Sequence, residues 1–300
     1  AHPRVGRTID ECLRDRRDDR AGADRMGRDL RLLRNGEGAE GEDNLRAVIS
    51  DYFIEYASYV IKDRAIPDVD DGMKPVQRRI MHVLDKMDDG NMHKVNTVVG
   101  AAMAYHPHGD ASISDAISNM AQPFTHIIPL IFSESNIGTY FGSPPAAARY
   151  VLCGDSEVAK DLFFGDINSA MYKIVVSESG DTTEPAYLIP RLPTALMISS
   201  FGIAIGWDSN TPGANPKSLC DLTREYIRLR ISDVLWKEKA AKQLAKYLIP
   251  DFPFETLIRN SKIIVDNYKK RDFMTPIKID GSMIVKNDCI IVETLPPGTD

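Results

Sequence analysis

Apolar residues recur at every third or fourth position in several stretches of the chain, which is the spacing of one buried helix face. The first stretch opens at Asp43, a suitable N-cap, and the segment 64–67 is expected to end it, because a residue before proline disfavours helical geometry. A second helix is predicted from Pro75, since proline suits the first helical turn. Its predicted buried stripe comprises Val76, Ile80, Val83, Leu84 and Met87. Arg78 and Arg79 lie off this stripe, and we expect both to be free to meet solvent or phosphate.

The segment 94–122 combines two helical patterns around a short break. The first pattern ends near Ala104, the break contains Gly109, and Asp110 is the predicted N-cap of the second helix. A helix, a glycine-containing turn and a helix together predict a helix-turn-helix, whose second helix would lie in the major groove of DNA. The second helix opens with small residues that would permit close approach to a backbone: Ala111, Ser112 and Ser114.

Beyond about residue 165 the pattern mixes strands and helices. Strands are predicted at 171–177 and 195–198, and helices at 219–230 and 232–247. Three further antiparallel strands are predicted at 277–280, 283–285 and 289–294, with turns at Asp280-Gly281 and Asn287-Asp288. The fold class is therefore predicted as α+β.

The composition is that of a globular protein with a sizeable core: 300 residues, 43% hydrophobic and 27% charged. The formal net charge is −6, so any contact with nucleic acid requires a local basic surface. Residues 1–42, rich in Arg and Asp, are predicted to form a solvated and flexible arm, with a DNA-contacting tail as the alternative. Scattered cysteines and the lack of a long apolar run predict a cytoplasmic protein.

Two short motifs suggest chemistry. Arg149-Tyr150 places a phenol beside a permanent cation, which suits a nucleophile next to a phosphate-binding group, although such a dipeptide is more often structural. His106 and His108 share a turn with no cysteine or third histidine nearby, so we expect phosphate-facing imidazoles and no metal site. The acids at 68, 70 and 71 are interpreted as a turn rather than a metal cluster. Ile203 stands between glycines, where core packing and insertion between DNA base steps are the two interpretations.

Five longer motifs follow one another in a set order. They are Tyr56-Ala57-Ser58-Tyr59-Val60-Ile61, Arg64-Ala65-Ile66-Pro67, Asp71-Gly72-Met73-Lys74-Pro75-Val76-Gln77-Arg78-Arg79, Tyr105-His106-Pro107-His108-Gly109-Asp110 and Ala146-Ala147-Ala148-Arg149-Tyr150. In this order they resemble the A subunits of bacterial type IIA DNA topoisomerases, DNA gyrase and topoisomerase IV, over about residues 45–300. The resemblance implies a winged-helix domain at 43–165, followed by the first part of an α/β tower domain at 166–300.

The resemblance also implies a mechanism of DNA cleavage. Tyr150 would attack a backbone phosphate, become linked to the DNA 5′ end and let a second duplex pass, which changes supercoiling or catenation. The positive groups expected around this phosphate are Arg149, Arg64, Lys74, His106 and His108, while Arg78, Arg79, Ser112 and Ser114 are expected to contact DNA. Ile203 matches the intercalating isoleucine of the family, which favours insertion into DNA over core packing.

The partners follow from the same resemblance. A separate B subunit would hydrolyse ATP and hold Mg²⁺, and two A subunits would join two B subunits in an A₂B₂ heterotetramer on double-stranded DNA, associated with the nucleoid. Ala111 replaces the serine that contacts quinolone drugs, whereas the acidic drug-site position is retained as Asp115. We therefore expect weak quinolone sensitivity.

The chain also departs from the family pattern near Tyr150. Ser133-Glu134-Ser135-Asn136-Ile137-Gly138 replaces a glycine-rich segment, and Val151-Leu152-Cys153-Gly154 replaces a Thr-Glu-basic sequence. Two alternatives are a non-catalytic winged-helix DNA-binding protein, which would tolerate Tyr150→Phe, and a decayed homologue retained as a scaffold for partners.

Overall fold

The computed structural model describes residues 52–165, 171–232, 243–248, 250–251, 257–258, 263, 266–267 and 278–296. The chain divides into two compact units, with the border between Val60 and Ile61. In the first unit the described residues include helix α1, Ile54–Val60, which has Val60 buried. The predicted arm at 1–42 and the start of the first predicted helix lie outside the described residues. The domain borders predicted from the sequence stay predictions.

The second unit mixes helices and strands, which confirms the predicted α+β class. Its helices are a π-helix Ile61–Ala65, α2 Pro75–Met87, α3 Val95–Ala102, α4 Asp110–Ala121, α5 Glu157–Ala159, a π-helix Lys160–Phe164, α6 Thr194–Met197 and α7 Pro216–Ile231. Its strands are β1 His93–Lys94, β2 Ile131–Phe132, β3 Leu152–Asp155, β4 Ile174–Val176, β5 Thr183–Pro185, β6 Ser200–Ile203, β7 Asp208–Thr211, β8 Leu257–Ile258, β9 Ile279–Asp280, β10 Ser282–Lys286 and β11 Cys289–Thr294. None of the helices in the described ranges is long and apolar enough to cross a membrane.

Helices α2, α3 and α4 pack together beside a three-stranded antiparallel sheet of order β1-β3-β2. The register pairs His93 with Cys153 and Ile131 with Asp155. The fully buried side chains shared by these elements include Ile80, Met81, Val98, Ile113, Ile117, Ile131 and Cys153. This core anchors the two loops that carry the candidate chemistry, because each loop begins and ends in elements that contribute to it. One loop joins α3 to α4 and carries His106 and His108, and the other joins β2 to β3 and carries Arg149 and Tyr150.

Helix α2 begins at Pro75 as the sequence predicts, and the Gln77 side chain accepts a hydrogen bond of 2.9 Å from the Lys74 backbone N–H. Ile80, Val83 and Leu84 are buried, and the other two residues of the predicted stripe are partly buried against the core. The apolar spacing therefore identified the buried face of this helix correctly.

Helix α4 begins one residue earlier than expected, because Asp110 was the predicted N-cap. Gly109 is the N-cap, with φ 93°, and Asp110 is the first helical residue. The left-handed backbone at Gly109 makes the turn, and only glycine adopts it without steric cost. Ile113, Ile117 and Met120 form the buried face, as the periodicity predicts.

The predicted strand at 195–198 is wrong, because residues Thr194–Met197 form helix α6. The Thr194 hydroxyl donates to the Asp71 carbonyl over 2.8 Å, and the Ile198 N–H donates to the Thr194 carbonyl over 2.8 Å, which closes the helical turn. A four-residue apolar run is as compatible with one buried helical turn as with a strand.

The predicted hairpin at the end of the chain is confirmed for β10 and β11. Asn287 and Asp288 connect these strands with φ values of 49° and 63°, the left-handed pair that a tight two-residue turn requires. The preceding strand differs from the prediction, because β9 pairs with β8 rather than with β10. The partner of β9 lies more than twenty residues upstream, and no local pattern in the sequence indicates that pairing.

Candidate functional site

Tyr150 lies on an exposed turn between two anchored segments. Its backbone N–H donates to the Ala147 carbonyl over 2.8 Å, while Val151, the next residue, is buried and its carbonyl accepts from Val95 over 2.9 Å. Before the turn, Ala148 packs against the core. The Tyr150 side chain itself is 69% exposed. A rigid framework therefore presents the phenol to solvent.

Arg149 lies against the tyrosine that follows it. The central guanidinium carbon is 4.8 Å from the centre of the Tyr150 ring, which is the range of a cation–π contact. Arg149 is exposed as well. The pair thus offers an incoming anion both a permanent positive charge and a phenolic oxygen.

A second group of charged side chains surrounds the turn between α3 and α4. The Arg79 Nη1 atom donates to His106 Nδ1 over 2.7 Å, and the ring centres of His106 and His108 are 4.6 Å apart in an edge-to-face arrangement. Burial, with smaller contributions from Arg79, His108 and Arg64 against the opposing negative charge of Glu178, lowers the pKa of His106 to about 4. His106 is therefore neutral near pH 7.

The hydrogen bond from Arg79 fixes the tautomer of His106. A guanidinium group can only donate, so Nδ1 of His106 must be the acceptor and the proton of the neutral ring is on Nε2. His106 can therefore donate one hydrogen bond through Nε2 without carrying a charge. Whether this ring faces a phosphate stays a prediction.

Two glutamates accept hydrogen bonds from three further N–H groups of Arg79. Glu184 accepts from Nε over 2.9 Å and from Nη2 over 2.9 Å, while Glu178 accepts from Nη1 over 2.9 Å. Burial opposes the charged form, but these two carboxylates outweigh it and raise the pKa of Arg79. The expectation that the Arg79 guanidinium is free is therefore wrong, and whether it contacts DNA stays a prediction.

Arg78 is also not free. It is buried, its Nε atom lies 2.6 Å from Asp71 Oδ2, and its Nη2 atom donates to Asp71 Oδ1 over 3.0 Å. Asp71 is fully buried and also accepts the backbone N–H groups of Met73 and Leu188. The pair therefore holds the loop before α2 in place. Arg78 lies off the apolar stripe, as predicted, but a carboxylate on the same loop draws it inside.

The acids before α2 make a turn, which is the interpretation preferred from the sequence. Asp68 Oδ1 accepts the Asp70 backbone N–H over 2.9 Å, and the Asp71 carboxylate is committed to Arg78 and to backbone donors. Gly72 follows with φ 73°. These carboxylates have structural roles within the loop.

Lys74 connects the start of α2 to the hairpin formed by β6 and β7. Its Nζ atom donates to the Phe201 carbonyl over 2.6 Å, and burial lowers the pKa of the ammonium group. The side chain of Ile203, at the end of β6, is 70% exposed. Phe201 and Trp207 are exposed on the same hairpin, so Ile203 is not a core residue.

The positions expected to meet DNA or drug on α4 lie on its first turns. Ala111, Ser112 and Asp115 are exposed, and Ser114 is half-buried. The Ser112 hydroxyl donates to the Gly109 carbonyl over 2.9 Å, which leaves its oxygen lone pairs as acceptors only. Arg64 is exposed and close enough to His106 to affect its pKa.

Comparison with known proteins gives these residues a family context. The model of the family described as the A subunit of DNA gyrase/topoisomerase IV matches residues 64–300, which is well over half of the chain. The chain belongs to this family of DNA gyrase and topoisomerase IV A subunits. The matched range contains every site residue discussed above, from Arg64 to Ile203.

Individual relatives agree with this family. The chain is similar to the A subunit of DNA topoisomerase 4 from Borreliella burgdorferi, with 44% identity over 167 residues, which cover 54% of this chain and 25% of that protein. It is similar to the DNA gyrase A subunit of Streptomyces coelicolor, with 32% identity over 262 residues, covering 83% of this chain and 29% of that protein. A third relative is the chloroplastic/mitochondrial DNA gyrase A subunit of Arabidopsis thaliana, with 34% identity over 222 residues, covering 72% of this chain and 23% of that protein. The chain thus spans about a quarter of the length of these relatives.

Sequence reasoning missed the two glutamates of the site. Glu178 and Glu184 belong to the hairpin formed by β4 and β5, and their partner Arg79 lies 99 and 105 residues away in the chain. The family motifs do not include them. Both lie outside the strand predicted at 171–177. The docking of this hairpin against Ala104 brings them to Arg79 and the histidines.

Proposed function

We propose that this chain is the DNA-cleaving and religating part of a type II topoisomerase A subunit, with Tyr150 as the nucleophile. The observation that carries this proposal is the exposed Tyr150 ring with the Arg149 guanidinium against it, on a turn anchored by Ala148 and Val151. A catalytic phenol must reach a phosphorus atom in a duplex, which a ring in the apolar interior cannot do. Family membership supplies the substrate class.

The chemical step is a transesterification. The phenolic oxygen of Tyr150 forms a bond to phosphorus while the bond between phosphorus and the 3′ oxygen breaks, so the phenol loses its proton and the 3′ oxygen gains one. Negative charge spreads over the phosphoryl oxygens in the transition state, and fixed positive groups stabilise it. Arg149 is one such group, since its guanidinium carbon lies 4.8 Å from the centre of the Tyr150 ring. The phosphotyrosine bond preserves the energy needed for resealing.

The group around His106 is proposed to bind the DNA backbone. His106 is neutral and presents its Nε2 proton, while Arg64 is an exposed cation nearby. His108 adds a second imidazole at the same turn. Lys74 is proposed to act beside the hairpin, where its ammonium is fixed by the Phe201 carbonyl. These groups would hold phosphates on either side of the scissile bond.

Ile203 is proposed to insert between base steps. Its side chain is exposed beside those of Phe201 and Trp207, which together make an apolar projection from the hairpin. Insertion of an apolar residue unstacks a base step and bends the duplex, at a cost of a few kcal/mol that added contacts offset. Gly202 allows the approach of this hairpin to Ala65, because a Cβ there would lie 2.1 Å from the Ala65 carbonyl oxygen.

The architecture proposed for the two parts is a winged-helix domain at 43–165 and a partial tower domain at 166–300. The packing of α2, α3 and α4 beside the β1-β3-β2 sheet supports the first assignment. We place ATP hydrolysis and Mg²⁺ on a separate B subunit within an A₂B₂ assembly, built around a homodimer of A subunits on nucleoid DNA in the cytoplasm. The acids before α2 do not suit Mg²⁺, since Asp71 is already bound to Arg78 and backbone donors.

The decisive experiment combines the chain with a B subunit of the same family, Mg²⁺, ATP and plasmid DNA, and stops the reaction with detergent. The expected product is linear DNA that carries the chain at its 5′ ends. Tyr150→Phe should abolish this adduct and retain DNA binding in a gel-shift assay. A matched control is Tyr140→Phe, which also removes a phenolic oxygen, and it should leave the adduct in place.

The same experiment separates the competing functions. A non-catalytic DNA-binding protein would bind DNA and form no adduct, so that Tyr150→Phe changes nothing. A decayed homologue would form no adduct and bind DNA weakly. Adduct formation that survives Tyr150→Phe would refute the assignment of the nucleophile.

A further inference from the structure

Three potential metal-ligand side chains meet beside the turn between α3 and α4. They are His106, His108 and Glu178, and their ligand atoms all lie within 4.8 Å of one another. His108 Nε2 is 2.7 Å from Glu178 Oε1. The histidines are two residues apart in the chain, while the glutamate comes from the loop of the β4–β5 hairpin. From the sequence we expected no metal site, because the two histidines have no third ligand nearby in the chain, and the hairpin provides one.

The position of Glu178 is fixed by the loop that carries it. The Ser179 hydroxyl donates to the Ala104 carbonyl over 2.6 Å, and the Thr182 hydroxyl donates to the same carbonyl over 3.4 Å. The hairpin is therefore tied to the segment that leads into His106. All three potential ligands thus belong to one connected piece of structure, which lowers the ordering cost of binding an ion.

The three side chains suit a particular class of ion. Two imidazoles and one carboxylate are a known ligand set of four-coordinate zinc, with the fourth position left for water. Imidazole nitrogen favours late first-row metals over Mg²⁺ and Ca²⁺, which prefer oxygen. Ligand atoms around zinc lie about 3.3 Å apart. The ligand atoms here are from 2.7 Å to at most 4.8 Å apart. Zinc would therefore require the His108–Glu178 contact to lengthen and His106 to move closer, by shifts of about an ångström.

Arg79 opposes the ion in a definable way. A metal on Nε2 of His106 moves the ring proton to Nδ1, where it meets the N–H that Arg79 now donates, and a metal on Nδ1 takes the atom that accepts this N–H. Arg79 must then release His106, and it keeps its bonds to Glu184. Losing one hydrogen bond to a charged group reduces affinity by about 10–100-fold. An exchangeable ion fits this arrangement better than a permanent structural one.

We propose that His106, His108 and Glu178 form a binding site for Zn²⁺ or a similar late first-row divalent ion. The ion occupies the imidazoles that the proposed function assigns to the DNA backbone, so metal and phosphate compete for them. That competition rests on the proposed function, whereas the metal site itself does not. The site is then a place where a transition metal inhibits DNA binding.

The test is a titration of the chain with Co²⁺, whose visible d–d absorption reports four-coordinate nitrogen and oxygen ligation. Cys12 and the exposed Cys220 and Cys289 are first changed to Ser, because thiolates also bind Co²⁺. The expected result is a visible band that saturates at one equivalent and disappears on addition of Zn²⁺. Glu178→Gln should weaken binding by at least about 10-fold. Asp181→Asn, which removes an exposed carboxylate from the same loop, should leave it unchanged.

Each contrary result overturns the site. Absence of a band at one equivalent, or equal affinity in Glu178→Gln, would show that these three side chains do not hold the ion, provided that circular dichroism shows a folded variant. Tyr150→Phe should bind Co²⁺ normally. If the chain cleaves no DNA, the proposed function is refuted and the metal site is not. If the chain binds no Co²⁺, the metal site is refuted and the proposed function is not.

Discussion

Replacement of Asp155 by Asn should stabilise the folded chain at pH 8 and not at pH 5. Asp155 ends β3, opposite Ile131, and its Oδ1 atom is buried without a hydrogen-bond partner among the described residues. Burial, reinforced by the negative charges of Asp85 and Asp88 against the opposing charge of Lys160, raises the pKa of Asp155 to about 8. An unfolded chain holds the same carboxyl near its ordinary pKa of about 3.9.

The sign of the effect follows from proton linkage. The folded state binds a proton that the unfolded state has already lost, so stability falls as pH rises from about 4 to about 8. A tenfold difference in proton affinity is about 1.4 kcal/mol, which gives an upper limit of about 6 kcal/mol above pH 8. The Asn amide needs a new acceptor for its N–H groups, which costs about 1–3 kcal/mol. The net gain expected at pH 8 is therefore at most about 3–5 kcal/mol.

Urea unfolding followed by circular dichroism at pH 5, 6, 7 and 8 measures this difference directly. The variant should be slightly less stable than the parent chain at pH 5, and the two curves should cross as pH rises. Asp161→Asn, at an exposed aspartate nearby, controls for the loss of one negative charge. If the free energy of unfolding of Asp155→Asn differed from that of the parent by the same amount at every pH, the reasoning would be refuted. Such a difference would come from packing, which does not depend on proton uptake.

Two further substitutions test the loop before α2 and the drug site. Gly72→Ala should lower the free energy of unfolding measured in urea by at least about 2 kcal/mol, because the added Cβ would lie 2.6 Å from the Ala195 Cα atom at a φ of 73°. The control Gly100→Ala changes a helical glycine with open space around it and should be neutral or stabilising by up to about 1 kcal/mol. Equal losses in the two variants would contradict the steric argument. Ala111→Ser should increase quinolone-stabilised linear DNA in the cleavage assay with the B subunit, because the exposed first turn of α4 regains a hydroxyl beside Asp115, and an unchanged drug response would count against that position as a drug contact.

Those parts of the fold that depend on neighbouring residues could be predicted from the sequence. Helix α2 follows from Pro75 and its apolar period, and the β10–β11 hairpin follows from Asn287-Asp288, because each signal acts within a few residues. The exposed Tyr150 with Arg149 beside it also lies within one motif. What local pattern could not predict is the partner of a charge, as Arg78 and Arg79 demonstrate.

These two adjacent arginines have the same sequence signal and different partners. Arg78 meets Asp71 seven residues earlier, on the loop that α2 itself begins from, and is buried there. Arg79 meets Glu184 and Glu178, which a hairpin about a hundred residues later brings to the same face. The periodicity of α2 places both arginines off the apolar stripe. Only the folded chain decides that one becomes a structural anchor and the other joins the histidines.

Glu178 determines how the histidine group responds to an anion or to a cation. Arg79 and Arg64 contribute two positive charges and the two glutamates contribute two negative charges, so a phosphate approaching His106 and His108 meets no net positive charge unless Glu178 turns away. A divalent metal ion is attracted by the same Glu178 carboxylate and would bind it, whereas a phosphate must displace it. The two functions proposed for this group, binding of DNA phosphate and binding of metal, therefore require different positions of the Glu178 side chain. The Glu178→Gln variant should consequently bind DNA more tightly while it binds Co²⁺ more weakly, and a change of both affinities in the same direction would show that Glu178 acts through the fold rather than through its charge.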